Sequence, residues 1–389
     1  MRGNSYDPMS LDLTVEQAHL RRTAALAVEV GRRAGLPLEP IEQTALRHHS
    51  LESFRHSSGI GRLAWQVVAG DDARRIGDIV QICNLVDEQM ESLEFEHKEV
   101  DTIFDEIQGF AVFEGYDPAL VNHLRALRCE GLSRDWQLPV EAHMACRVFR
   151  ALRAERDYEV HELEDLAQQD PSLATSLLRV ANSALYGRVT RVSTIGRAIS
   201  GLGTRAARKV MLGAAMRPLY AAAGLSGIWS HSLSAAPLCA ALAGSTGLLT
   251  PEQGLVLGLV HDIGAIAVQF LPREKLQVNR NLVEGGCPPA YVERLLLGCD
   301  HGEIGANFLA SWNFPDEFVE AVRFHHQPER SRSDLAALAY LAEFWSGLDE
   351  DVASFGRVDA CLDRVGLTLE ILVDLGNCDT ALNALRAVA

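Results

Sequence analysis

Apolar residues recur at steps of three and four along almost all of this 389-residue chain. That spacing places them on one face of an α-helix. Residues 11–34 are a clear example, and Gly35 follows them as the kind of residue that commonly ends a helix. The alternating pattern of strands and the Asn-Gly pairs of hairpins are absent from the sequence. The chain is therefore predicted to be all-α.

The length indicates more than one lobe, because single hydrophobic cores stop growing at about 250–300 residues. A polar, glycine-bearing stretch at residues 129–138 marks the predicted boundary. We predict a helical domain at residues 1–130, a second at residues 138–346 and closing helices at residues 347–389. Within the second domain, continuous helices are predicted over residues 204–223 and 251–270.

Composition narrows the class of protein. The chain is 48% hydrophobic and 23% charged, which is typical of a soluble globular protein. No uncharged apolar run reaches the roughly 18 residues of a membrane helix, and the first residues lack signal-peptide architecture. The eight cysteines are scattered without a CxxC pair, which favours reduced thiols. We expect a cytoplasmic protein with no membrane partner.

The charge distribution is uneven. A net charge of −16 argues against nonspecific nucleic-acid binding. Residues 171–251 nevertheless contain no Asp or Glu, whereas residues 71–118 are rich in both. Either the helices of the acid-free region have little surface to charge, or they form a cationic surface for an anionic ligand or partner, such as the chain's own acidic segment. The candidate residues of this basic surface are Arg188, Arg191, Arg197, Arg205, Arg208 and Lys209.

One ionisable pair lies in an apolar run at residues 259–264 (LVHDIG). His261 and Asp262 are costly to bury there unless something satisfies them. His231 precedes them, and His301 and the pair His325-His326 follow. Imidazoles and a carboxylate are the ligands of a divalent metal site with mixed nitrogen and oxygen donors. The alternatives are a buried hydrogen-bonded pair at 261–262 and an exposed helix-terminal pair at 325–326.

The order of these motifs resembles the HDOD domain, an all-helical relative of the HD metal-dependent phosphohydrolases found in bacterial signalling proteins. The resemblance covers about residues 139–345. Its motifs lie at residues 138–139, 166–186 (LAQQDPSLATSLLRVANSALY), 195–203, 229–232, 259–264, 301–305, 312–315 and 325–326.

This resemblance implies a set of metal ligands. The HD superfamily positions fall on His231, His261, Asp262 and Glu343, and relatives with a second metal use positions matching His301, His325 and His326. Glu343 departs from the usual Asp. The implied metal is iron, manganese or zinc.

The resemblance also implies a function. HDOD domains are regarded as non-catalytic regulatory modules, so we expect signal transduction through contacts with a signalling protein. No Lys or Arg follows the doublet before Arg273, so a clamp for a phosphate group is missing nearby in sequence. The alternatives are a metal-dependent phosphohydrolase of the cyclic-di-GMP phosphodiesterase type and a nucleotide-sensing module. An apolar helical surface is compatible with a homodimer.

A fainter likeness covers residues 14–128. His19-x-x-Arg22 and residues 44–49 (TALRHH) resemble the start of an HD domain, and residues 79–88 and 116–121 resemble the closing helices of HD-GYP phosphodiesterases. Asn84 stands where such enzymes carry their final metal-binding Asp. The resemblance therefore implies a degenerate lobe that does not hold metals as the enzymes do and is catalytically inactive.

Overall fold

The computed structural model describes residues 8–48, 72–91, 99–129, 158–169, 171–183, 192–220, 225–346 and 353–376. Helix is the only regular secondary structure in these ranges, which confirms the all-α prediction. The helices, in chain order, are α1 (Pro8–Ala34), α2 (Leu38–Ala45), α3 (Asp72–Glu91), α4 (Val100–Glu114), α5 (Ala119–Arg125), α6 (Val160–Gln168), α7 (Pro171–Ala181), α8 (Ile195–Leu202), α9 (Thr204–Met216), α10 (Ser226–Thr246), α11 (Pro251–Val260), α12 (Ala265–Val268), α13 (Arg273–Glu284), α14 (Pro289–Leu297), α15 (His301–Ser311), α16 (Asp316–Arg323), α17 (Asp334–Ser346), α18 (Ala353–Val365) and α19 (Leu369–Gly376).

The chain divides into two compact units, which confirms the two-lobed prediction. Of the described residues, the first unit takes 8–129 and 270–300, and the second takes 158–269, 301–346 and 354–376. The first unit is therefore built from α1–α5 together with α13 and α14. Its core contains Leu26, Ile79 and Phe104, and the later segment adds Leu282 and Leu295, all fully buried.

A lysine ties α13 to the end of α5 within the first unit. Lys275 Nζ donates to the carbonyl oxygens of Ala126, Leu127 and Arg128 at 2.6, 3.0 and 2.7 Å. These carbonyls follow the last turn of α5, where helical hydrogen bonding runs out and negative partial charge accumulates. The ammonium group therefore caps α5.

In the second unit, α10 and α11 pack closely because α11 carries two glycines on the shared face. A Cβ added to Gly258 would lie 2.5 Å from the Cα of Ala236, and one on Gly254 would lie 2.5 Å from the carbonyl oxygen of Cys239. Only hydrogen fits at these two positions. This close approach brings His231 of α10 to the end of α11, where the His-Asp doublet begins.

The two long helices predicted in this unit are interrupted, so those predictions are wrong. Helix α9 ends at Met216 and a 3-10 turn follows over Arg217–Tyr220, because Pro218 has no N–H to continue the helical ladder. Helix α11 ends at Val260, and α12 begins only after the turn at residues 261–264. At that turn Gly264 lies against α15: a Cβ there would be 1.9 Å from the carbonyl oxygen of His301.

Two further expectations meet the structure only in part. Among the helices that are described, none combines the length and apolar character needed to cross a membrane. The six cysteines within the described ranges are free thiols.

Candidate metal centre

Seven ionisable side chains that the sequence singles out come together in the second unit. They form two groups in which the ligand atoms lie within 4.8 Å of one another. The first group is His231, His261 and Glu343; the second is Asp262, His301, His325 and His326. The residues come from α10, the turn after α11, the start of α15, the turn after α16, and α17.

Backbone carbonyls fix the orientation of two of the imidazoles. His261 Nδ1 lies 2.8 Å from the carbonyl oxygen of Gly258, and His325 Nδ1 lies 2.6 Å from that of Val322. A carbonyl only accepts, so each Nδ1 must carry the hydrogen and donate. In the neutral ring the lone pair is then on Nε2, which points into the cluster. Metal-binding histidines use this arrangement.

The inward-facing atoms crowd each other. His231 Nε2 lies 3.0 Å from His261 Nε2, and His301 Nε2 lies 2.6 Å from His326 Nε2. Asp262 lies between the two groups: its Oδ1 is 3.2 Å from His301 Nε2, and its Oδ2 is 3.7 Å from His231 Nε2. Nitrogen lone pairs that face each other at these distances need a proton or a cation between them.

Glu343 reaches the cluster despite being one methylene longer than the expected Asp. Its Oε2 lies 3.2 Å from His261 Nε2 and 3.6 Å from His325 Nε2. It lies on α17, which packs against α10, and it is buried. The longer side chain thus places its carboxylate among the imidazoles.

The residues fit a divalent metal. Three buried atoms here make no hydrogen bond of regular geometry, although each lies 3.2–3.4 Å from another atom of the cluster: Asp262 Oδ1, His325 Nε2 and Glu343 Oε2. Each is a ligand atom of a type that zinc, iron or manganese accepts. Leaving such groups buried and unsatisfied is costly, and a cation at the centre of the cluster would satisfy all three.

Electrostatics keep both carboxylates of the centre ionised and two of its imidazoles neutral. The pKa of Asp262 is held well below its usual range: burial opposes this, but the charges of His261 and His301 outweigh it. The pKa of Glu343 is also lowered. Burial opposes this shift, but His326 and other neighbouring groups outweigh it. Burial and the neighbouring imidazole lower the pKa values of His231 and His326.

His261 is the exception. Burial would lower its pKa, but the carboxylates of Asp262 and Glu343 raise it to about 9. Without a metal ion, His261 is therefore the ring that is protonated at neutral pH, and its positive charge lies between the two carboxylates.

The centre is nearly closed. The His326 side chain is 21% exposed, whereas those of His325 and His261 are 0% and 1% exposed. The alternative of an exposed His325-His326 pair is therefore wrong for His325. Within the described ranges, the ion pairs of Asp262 and Glu343 are with histidines, not with Lys or Arg.

A residue of the centre that the sequence analysis missed is Ser346. Its Oγ lies 3.3 Å from His231 Nδ1, on the outer side of that ring. Ser346 is three residues after Glu343 on α17, a spacing that places both on one helix face. That spacing was the only signal available in the sequence.

Four of the six residues of the predicted basic surface lie in the described part of the chain. Arg188 and Arg191 lie outside the described residues. Arg197 and Arg205 are exposed, and Arg205 Nε lies 3.6 Å from Glu252 Oε1. The guanidinium of Arg208 lies over the ring of Tyr158, and Lys209 is half-buried and lines one pocket together with Arg205. The surface stays a prediction.

An all-helical domain with a buried centre of histidines and carboxylates defines the class of HD-type proteins. Within this class, residues 138–328 match the family model of the HDOD domain. The chain carries an HDOD domain, as the resemblance predicts.

Solved structures agree with this fold. An HDOD domain protein of unknown function from Geobacter sulfurreducens superposes with a TM-score of 0.53 at 24% identity, covering 65% of this chain and 93% of that one. A "Putative phosphohydrolase" from Shewanella amazonensis SB2B gives 0.52 at 22% identity, covering 66% and 96%. A "Putative signal transduction protein" from Marinobacter aquaeolei VT8 gives 0.51 at 21% identity, covering 65% and 58%. At these identities the likeness shows the fold alone.

The sequence is also similar to a curated protein whose description gives no function. An uncharacterized protein of Treponema pallidum (strain Nichols) is 25% identical over 196 residues. The match spans 47% of this chain and 37% of that protein.

Proposed function

We propose that this protein is a regulatory signalling protein whose HDOD domain holds a divalent transition metal and acts through protein contacts rather than by hydrolysis. The observation that carries the proposal is the charge balance of the closed centre. In the described part of the chain, its two carboxylates form ion pairs with imidazoles alone. Of His261, His325 and His326, the most exposed ring is His326.

This charge balance favours binding of a divalent metal over binding of a phosphoester. A phosphate group needs Arg, Lys or backbone donors beside the metal to bind its charge. Among the described residues, none of the ion pairs of Asp262 and Glu343 supplies such a cation. A bound metal would join helices from several parts of the unit, and gain or loss of the metal would change the stability of the surface that those helices present.

The test is the metal content of freshly purified protein, measured by plasma mass spectrometry. Asp262→Asn removes the negative charge that lies between the two groups of ligands and preserves the shape of the side chain. We expect at least one metal ion per chain in the wild type and its loss in this variant. Asp316→Asn, an exposed change on α16, is the matched control and should keep the metal. A metal-free wild type would overturn the proposal.

The second candidate function is metal-dependent phosphoester hydrolysis. It is favoured by the position of Asp262, whose two oxygens face different groups and could bridge two ions. Two ions about 3.5–4 Å apart are typical of phosphatases and nucleases, where they supply Lewis-acid activation of water.

Hydrolysis is tested with cyclic-di-GMP and a generic phosphodiester in the presence of Mn²⁺. We expect no turnover above that of Asp262→Asn. Turnover that this variant abolishes and Asp316→Asn retains would replace the regulatory proposal with the enzymatic one. A protein partner that binds the metal-loaded chain but not Asp262→Asn would support regulation.

A further inference from the structure

A cleft lies in the first unit between α1, α2 and the C-terminal end of α13. Its volume is about 440 Å³, which is within the range of pockets that bind small molecules. Its floor is one face of α1, where Ala24, Ala25 and Val28 lie at helical spacing. Its walls are Glu42 of α2 and residues 281–286, which include the last turn of α13. The cleft is therefore built within a single unit of the chain.

The two ends of the cleft are set by close contacts at glycines. A Cβ added to Gly286 would lie 3.3 Å from the Cβ of Arg21, so Arg21 lies beside the end of α13. Farther along α1, Gly31 leaves no room for a Cβ beside Ile41 Cδ1, and this contact brings the neighbouring Glu42 to the cleft. Arg21 and Gly31 are about 15 Å apart along the helix axis. The cleft is consequently elongated and suits an extended ligand.

Three charged side chains that line the cleft are left without a protein partner. Among the described residues, no ion pair or side-chain hydrogen bond involves the charged groups of Arg21, Glu42 or Glu284. All three side chains are exposed. Glu284 is also the last residue of α13, where the helix dipole adds partial negative charge. One end of the cleft thus presents a cation and an anion, and the other end presents an anion.

The remaining charges of the cleft are already paired. The buried carboxylate of Glu29 accepts a hydrogen bond from Arg32 and another, at 3.1 Å, from Asn281 Nδ2. Its other oxygen lies 3.6 Å from Arg33 Nε. The charge that a ligand meets is therefore set by the three unpaired groups, which together carry one net negative charge.

We propose that this cleft binds a free basic amino acid such as L-arginine or L-lysine. Such a molecule carries one carboxylate and two cationic groups, which is the complement of one arginine and two glutamates. Its carboxylate would pair with Arg21, whose planar guanidinium can bind both oxygens. Its α-ammonium group would pair with Glu284 and its distal cation with Glu42, while its methylene chain covers the short apolar side chains of the floor.

This inference goes beyond the proposed function, because it involves no residue of the metal centre. The experiment is calorimetric titration of the full chain with amino acids and without added metal, so its outcome is independent of that centre. We expect saturable binding of L-arginine and L-lysine. Agmatine, which is arginine without the carboxylate, and L-norleucine, which has no distal cation, should bind at least tenfold more weakly.

Two variants assign the ends of the ligand. Arg21→Gln and Glu42→Gln should each weaken L-arginine binding about tenfold, because each removes a charged partner. Arg21→Gln should also abolish the preference for L-arginine over agmatine, and Glu42→Gln the preference for L-lysine over L-norleucine. Glu114→Gln, an exposed change on α4 outside the cleft, alters the net charge as Glu42→Gln does and should bind as the wild type.

The acetylated amide of L-arginine distinguishes a free amino acid from an arginine within a protein partner. It lacks both α-charges, so it should not bind. Equal affinity for this compound and for L-arginine would overturn the proposal in favour of a peptide ligand. Absence of binding by both basic amino acids, or affinities that Arg21→Gln and Glu42→Gln leave unchanged, would overturn it outright.

Discussion

At the residue scale, the candidate centre depends on positions where only glycine fits. Gly264 ends the His-Asp turn, and Gly258 allows α10 and α11 to approach. The histidine and carboxylate members of the centre could be found from the sequence because their order matches a family pattern. The geometry could not: the sequence does not tell that Glu343 reaches His261 or that carbonyls orient the rings.

Gly264→Ala should disrupt the centre without altering any ligand. The added methyl would lie 1.9 Å from the carbonyl oxygen of His301, so α15 must shift and carry His301 away from Asp262. Overpacking of a well-packed site costs about 1–3 kcal/mol. We expect that loss in urea denaturation, together with loss of bound metal.

Gly227→Ala on α10 is the matched control, because a Cβ there meets nothing within 4 Å. It should change the free energy of unfolding by less than about 1 kcal/mol. Equal effects of the two glycine changes would show that the close approach at Gly264 is unimportant.

At the element scale, the sequence predicts helices well where apolar spacing is regular and poorly where packing decides. Helix α13 was not predicted, because its residues are mostly polar and only Val278, Asn279 and Leu282 are buried. The apolar spacing also fails to predict the break between α11 and α12. Apolar residues continue through it, and the turn exists because Gly264 must meet α15.

Lys275 should stabilise the first unit through the end of α5. Lys275→Met keeps most of the aliphatic chain and removes three hydrogen bonds to carbonyl oxygens. Charge-assisted bonds of this kind are worth about 1.5–3 kcal/mol net, reduced here because the group is partly exposed. We expect unfolding to become easier by about 1–2 kcal/mol in denaturant titration.

The control on the same helix is Arg280→Met, whose side chain is exposed. Its effect should stay within about 0.5 kcal/mol. A similar loss in both variants would assign the effect to net charge rather than to capping.

At the scale of the whole molecule, the ligands of the HDOD centre are spread from residue 231 to residue 343 of the chain. Metal binding should therefore stabilise the fold and not only the site. A ligand that binds the folded state alone adds about 2.7 kcal/mol at a hundred times its Kd.

We expect the melting temperature to rise with added Mn²⁺ or Zn²⁺ and to fall after chelation. His161→Ala, an exposed change on α6, should respond as the wild type does. The shift should shrink in Asp262→Asn. Melting curves that coincide with and without metal would contradict a metal that holds these helices together.

The first unit is completed late in synthesis, because it contains a segment from the second half of the chain. Residues 270–300 complete the core of that unit, yet they are synthesised long after its other described helices. A ribosome adds about 5–20 residues per second, so the gap amounts to roughly 10–30 s. Throughout that interval Leu26, Ile79 and Phe104 lack their late partners, and the nascent chain leaves apolar surface open to chaperones until α13 and α14 emerge.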